Sequence, residues 1–201
     1  MTSILKADTI QDTDGNNIIN ENSNTITIGA SGDTTNIIGT LQNNGAAVGG
    51  TNTPMVSAYL NSSQSISSNS WTKIQYNTEF YDTDSAYDNS TNYRFTVPSS
   101  EGGKYFISGA FYSSGNNNDE RQFGIEIRKN GSSFVRHFES VPGYGTSLPS
   151  ARSVPINAIL DLSASDYIEF YGYARADSGS LNINGDASDR RTFFSIAKMI
   201  E

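Results

Sequence analysis

The chain has 201 residues, no cysteine and a formal net charge of −8. The lack of cysteine excludes disulfides, thiolate nucleophiles and cysteine-ligated metals, and 13 Lys and Arg against 21 Asp and Glu, with no basic stripe, argue against a nucleic-acid ligand. No apolar run approaches the ~20 residues of a membrane span, so membrane insertion is not expected, and Met1–Lys6 lacks the charged-then-apolar order of a secretory leader.

In chain order, the first division is set by the rings. The 11 Tyr, 10 Phe and one Trp all lie at or beyond Tyr59. Aromatic side chains dominate the burial that stabilises a core, so the pattern predicts a thin polar stem followed by a packed head. In the stem, residues 1–41, Ile18, Ile26, Ile28 and Ile37 are the candidate core, and Asn17-Ile18-Ile19 returns as Asn36-Ile37-Ile38. Asn24–Ile28 alternates polar and apolar, the period of a half-buried strand. Alone, such a segment buries too little to offset its ordering entropy. Two readings stay open: a disordered tail, or a β stem that winds around other copies of itself. The alternating β-branched residues favour the second. Asp12-x-Asp14-Gly15 opens like a calcium loop, but Ser23 stands where a closing Glu is required, so a turn is expected. Residues 42–54 read as a linker by composition, and 55–201 as the head.

Strand signals fill the head. Tyr93, Phe95 and Val97 alternate with polar neighbours, as do Phe123, Ile125 and Ile127. Val154, Ile156, Ala158, Leu160 and Leu162 share one face, opposite Ser153, Asn157 and Asp161. Ile168 and Phe170 face away from Glu169, Tyr171 and Tyr173. Asn130-Gly131 between two such runs marks a hairpin. About eight to ten strands are expected, enough for a two-sheet sandwich or jelly roll. Lys104–Tyr112 is apolar on both faces, with Tyr105, Ile107 and Phe111 on one and Phe106 and Ala110 on the other. A strand buried on both sides needs a partner beyond its own sandwich.

These residues carry a resemblance. Tyr87-Asp88, Thr91, Phe95-Thr96-Val97-Pro98 and Gly103-x-Tyr105-Phe106-Ile107 resemble, in order and spacing, the central signature of the complement one-q and tumour necrosis factor-like jelly roll. Leu160-x-Leu162 through Ile168, and Thr192-Phe193-Phe194-Ser195, are similar to its later motifs. Asn92 and Ser165 replace family glycines, and Ile196 stands where a glycine is common. The resemblance covers the head alone. It implies a trimer, no enzymatic activity, and variable loops used for recognition. On it, Tyr59, Tyr105, Phe106, Phe111, Tyr171 and Phe194 are expected at a trimer interface. The stem, with Leu5–Gln11 before Asp14-Gly15, resembles the shafts of bacteriophage fibre and spike proteins.

Signs of chemistry are sparse. His137 is the one histidine, and its strand neighbours suggest a structural role. Asp82, Asp84 and Asp88 cluster and offer hard oxygen ligands to calcium, but a solvated acidic loop is the favoured reading. No cofactor is expected. Recognition is expected from Tyr144, Arg152, Arg175, Asp177 and Arg190, because Tyr and Arg anchor binding surfaces. The combined expectation is an all-β protein of the virion: a homotrimeric fibre or spike, attached to other virion proteins by its stem, whose jelly-roll head binds a host-surface glycan or protein. A capsid or tail decoration protein and a polysaccharide depolymerase are the alternatives.

Overall fold

The computed structural model describes residues 37–39, 41–43, 46–47, 52–115, 120–141, 151–177 and 179–199. The chain divides into two units, Met1–Gly49 and Gly50–Glu201. In the first, β1 (Gln42–Asn43) pairs antiparallel with β2 (Ala46–Ala47), inside the stretch that composition marks as a linker. Ile37 is exposed and in no strand, whereas Ile18, Ile26 and Ile28 lie outside the described residues.

The regular elements described in the second unit are all strands: β3 (Met55–Tyr59), β4 (Ser62–Ile66), β5 (Ser70–Lys73), β6 (Thr78–Asp82), β7 (Tyr87–Asp88), β8 (Arg94–Thr96), β9 (Gly103–Gly115), β10 (Glu120–Lys129), β11 (Ser132–Ser140), β12 (Ala151–Leu162), β13 (Tyr167–Ala176), β14 (Leu181–Asp186) and β15 (Phe193–Lys198). They form a seven-stranded and a six-stranded sheet. In the larger sheet β9 is central. β12 runs antiparallel along one edge of it from Leu162↔Gly103 to Ala151↔Ser114. β15 and β14 share the other edge, followed by β3 and β6 on one and β4 on the other. In the smaller sheet β13 lies between β10 on one edge and β5 and β8 on the other, with β11 outside β10 and β7 outside β8.

The period-two pattern explains which side chains meet between the sheets. Tyr105, Ile107 and Phe111 of β9 and Val154, Ile156, Leu160 and Leu162 of β12 point inward, toward Phe123, Ile125 and Ile127 of β10 and Ile168 and Phe170 of β13. At the centre, Phe170 contacts Tyr76 and Phe194 at ring-centroid distances of 5.7 and 5.1 Å. Gly109 makes room for it: a Cβ there would fall 2.7 Å from Phe170 Cε1. The expected all-β sandwich is what the chain forms.

Two local features follow from turn chemistry. The β10–β11 hairpin turns at Asn130 and Gly131 with φ of +52° and +77°, the left-handed pair that a tight hairpin demands. Tyr93, expected within a strand, instead has φ +49° and precedes β8. The Asp88 carboxylate organises that bend by capping the loop, accepting the N–H of Thr91 at 2.8 Å and of Asn92 at 3.0 Å.

Candidate assembly and binding surfaces

The outer side of the larger sheet is apolar. Register places Ile159, Phe106, Ala197 and Met55 in one cross-strand row and Pro155, Ala110, Phe193 and Tyr59 in another. Between them lies a polar but uncharged row of Asn157, Ser108, Ser195 and Ser57. Ser57 and Ser195 hydrogen-bond to each other at 2.8 Å, and Ser57 Oγ also donates to the Phe194 carbonyl at 3.0 Å. No formal charge occurs in the three rows. Ile159 is 59 % exposed and Phe106 44 %, large values for side chains of this size. Phe80 and Tyr81 of β6 and Phe193 extend the patch, and Met199 beyond the end of β15 is also exposed. At one corner Tyr59 and Phe80 meet at 4.8 Å, and the Arg190 guanidinium lies 5.3 and 5.1 Å over their rings.

This arrangement sorts the rings expected at an interface. Phe106 and Tyr59 do belong to the outer side. Tyr105, Phe111 and Phe194 are instead enclosed within the single chain, so they have no surface left to offer a partner. The reason is the pleat: the second sheet already covers the inward half of β9 and β15. Tyr171 is on the other sheet altogether, where the Arg128 guanidinium packs 3.7 Å over its ring. Ile159 and Phe80 were not singled out from sequence. Ile159 could have been, because it is the one large aliphatic residue among the polar positions of β12.

The outer side of the smaller sheet has a different character. Trp71, Phe138 and Tyr173 form a cluster with ring-centroid separations of 4.9 to 5.7 Å. They gather over Gly124, where a Cβ would come within 2.9 Å of Phe138 and 3.0 Å of Trp71. Beside them Glu126 has no exposed side-chain surface, yet it is fully paired: Arg128 Nε and Arg136 Nε each donate to it at 2.6 Å. A buried carboxylate is tolerated when its lone pairs are satisfied this way. Lys73 reaches Glu169 at 2.5 Å, Arg136 lies 5.2 Å over Trp71, and Arg94 lies 4.5 Å over Tyr167.

The remaining candidate residues do not converge. Tyr144 lies outside the described residues. Arg175 is exposed at the end of β13, in register with Gln122. Asp177 just beyond accepts from Arg121 Nε at 2.7 Å. Arg190 belongs to the larger sheet's corner. Arg152 sits opposite Ser113, and Arg152 Nε and Ser113 Oγ are buried without a hydrogen-bond partner among the described residues. Of the four that are described, Arg175 and Asp177 lie at the end of β13 while Arg190 and Arg152 lie on the larger sheet.

The acidic loop is turned upon itself. Asp82 accepts the N–H of Tyr87 at 2.8 Å and of Ala86 at 3.0 Å. Asp84 accepts from Thr83 Oγ1 at 2.5 Å. Hydrogen bonds from the Thr91, Ser90 and Asn92 backbone hold the Asp88 carboxyl far below the usual carboxylate range. Among the described residues no group of three His, Asp or Glu is arranged to hold a metal ion. His137 bridges the sheet edges instead, its Nδ1–H donating to the Pro155 carbonyl at 2.6 Å.

No protein-family model matches the chain, and no curated protein sequence matches it. Among solved structures, the globular domain of zebrafish complement 1qA is similar at 14 % identity and a TM-score of 0.49, covering 74 % of this chain and 98 % of that one. The Eiger TNF of S. frugiperda is similar at 12 % identity and the same TM-score, covering 74 % and 94 %. The two-sheet architecture stands on the strand pairing described above, and no activity of either protein is assigned to this chain on that likeness.

Proposed function

We propose that the chain is the subunit of a homotrimeric bacteriophage virion protein, a short fibre or spike. Its N-terminal stem attaches to other virion proteins, and its head binds a host-surface glycan or protein without covalent chemistry. The observation that carries the reading is the outer side of the larger sheet. Three uncharged rows at the centre of that side, two of them apolar, on a chain of net charge −8 suit contact with further copies of itself, because no like charges oppose one another there. Exposed apolar patches of this kind are costly in water and mark interaction sites. A three-fold assembly supplies the common axis that the isoleucine-bearing stem requires, and three heads on one particle raise avidity where single contacts are weak.

The test has two arms. Sedimentation of the full chain reports the oligomeric state, and mass spectrometry of purified particles reports whether the chain belongs to a virion. Trimers in the first and the chain's peptides in the second are expected. A monomer at micromolar concentration overturns the assembly, and absence from particles overturns the virion assignment.

A further inference from the structure

We propose that the outer side of the smaller sheet is a binding face for an acidic polysaccharide, its rings stacking on sugars and its cations meeting carboxylate or sulfate groups. The inference rests on the reading that the head binds a host-surface glycan, and it relocates that binding from the loop tips to a sheet face.

The argument is one of vertical order. The face carries Lys73, Arg94, Arg128, Arg136 and Arg175, against Glu126, Glu169 and Asp88. The two glutamates lie beneath: side-chain exposure is 0 % for Glu126 and 7 % for Glu169, against 23 %, 50 % and 30 % for Arg128, Arg136 and Lys73 above them. A ligand approaching from solvent meets guanidinium and ammonium groups first, although the chain as a whole is acidic. The carboxylates fix those cations in place, so little side-chain entropy remains to be lost on binding. Asp88 is turned into its own loop.

Rings complete the chemistry. Phe134 is 58 % exposed and Phe138 45 %, both on edge strand β11, with Phe134 at the bulge between the Ser133 and Val135 pairings. The Phe138, Trp71 and Tyr173 rings pack on one another and present flat faces on which a sugar can stack, and Tyr, Trp and Arg together are the usual anchors of binding energy. Guanidinium groups match carboxylate and sulfate oxygens in pairs. The alternative polyanion is single-stranded nucleic acid. That ligand requires a cationic groove tracking its backbone, whereas here the cations alternate with rings on an open face.

The experiment uses the full chain on a biosensor surface with polygalacturonate, dextran sulfate, neutral dextran and oligothymidylate as probes. Binding to the two acidic polysaccharides and not to dextran is expected, weakening as salt is raised. Phe134→Ser, which changes no charge, lowers affinity about fivefold or more, and Arg175→Glu does so as well. Both side chains are exposed, and an unchanged melting temperature confirms that each variant is folded. Equal affinity of wild type and both variants overturns the proposal, as does tighter binding to oligothymidylate. Should the chain bind host cells yet ignore both acidic polysaccharides, this face is excluded while the receptor-binding reading stands.

Discussion

Two glycines with nearly the same crowding respond oppositely to substitution. At Gly109 an added Cβ falls 2.7 Å from Phe170 Cε1 and 3.1 Å from Cδ1, and at Gly124 it falls 2.9 Å from two ring carbons of Phe138. Unstrained carbon contacts lie near 3.5–4.0 Å, so either ring must retreat by about 1 Å. Phe170 cannot: it is 3 % exposed and held by Tyr76 and Phe194. Gly109→Ala therefore spreads the sheets, at about 1–3 kcal/mol, or a fall in melting temperature of about 3–10 °C for a domain of this size. Phe138 is 45 % exposed and swings into solvent, while Trp71, with a ring carbon 3.0 Å from that Cβ, need give only a few tenths of an ångström. Gly124→Ala is expected within about 0.5 kcal/mol of wild type, because lost ring packing is offset by the lower chain entropy of alanine. Thermal unfolding followed by near-ultraviolet circular dichroism measures both. Phe170→Leu in the Gly109→Ala background removes the offending ring edge, and the double variant should unfold less than additively. Equal melting temperatures for the two alanine variants would refute the reasoning, since the nearest ring is enclosed in one and bordered by solvent in the other.

Other outcomes follow from the same geometry. Ile159→Lys places a charge in the uncharged face, and burial of its exposed part is worth about 1–2 kcal/mol per subunit, so the trimer should dissociate at least tenfold more readily in sedimentation while the fold persists. Lys129, Asn130 and the Ser163 N–H hold the Asp166 carboxyl down at about 2. A lowered folded-state value stabilises the fold above the ordinary range near 4 and ceases to do so as the pH falls through about 2. The melting-temperature gap between wild type and Asp166→Asn should accordingly be full at pH 5 and close toward pH 2. Gly131→Val forces a β-branched residue into the turn at φ +77° and should cost about 1–2 kcal/mol, read by chemical denaturation.

Much of the sandwich was legible because its strands obey the period of two. Val154 through Leu162 bury one side as the alternation demands, and Asn130-Gly131 turns where its chemistry requires. Less legible was which partner covers each side of a doubly apolar strand. Tyr105 and Phe106 read alike in sequence, yet one faces the second sheet and the other faces outward, and only the register with β12 and β15 tells them apart. The pairing of Glu126 with Arg136 depends on the β10–β11 register, and the Trp71 cluster depends on β5 meeting β13 across 100 residues of chain. Single-sequence patterns do not carry such long-range pairings. The acidic residues of the Tyr81–Asp88 loop left a calcium site open, but Asp82 and Asp88 accept from backbone amides and Asp84 from the Thr83 hydroxyl, a competition that composition alone does not reveal.

Self-association through the larger sheet is the claim on which the rest depends, and sedimentation equilibrium of the untagged full chain at micromolar concentration addresses it most directly. A single species of three chain masses, shifted toward one chain mass by Ile159→Lys, is the expected result. A wild-type particle of one chain mass throughout, with its outer face permanently bare in water, would contradict it.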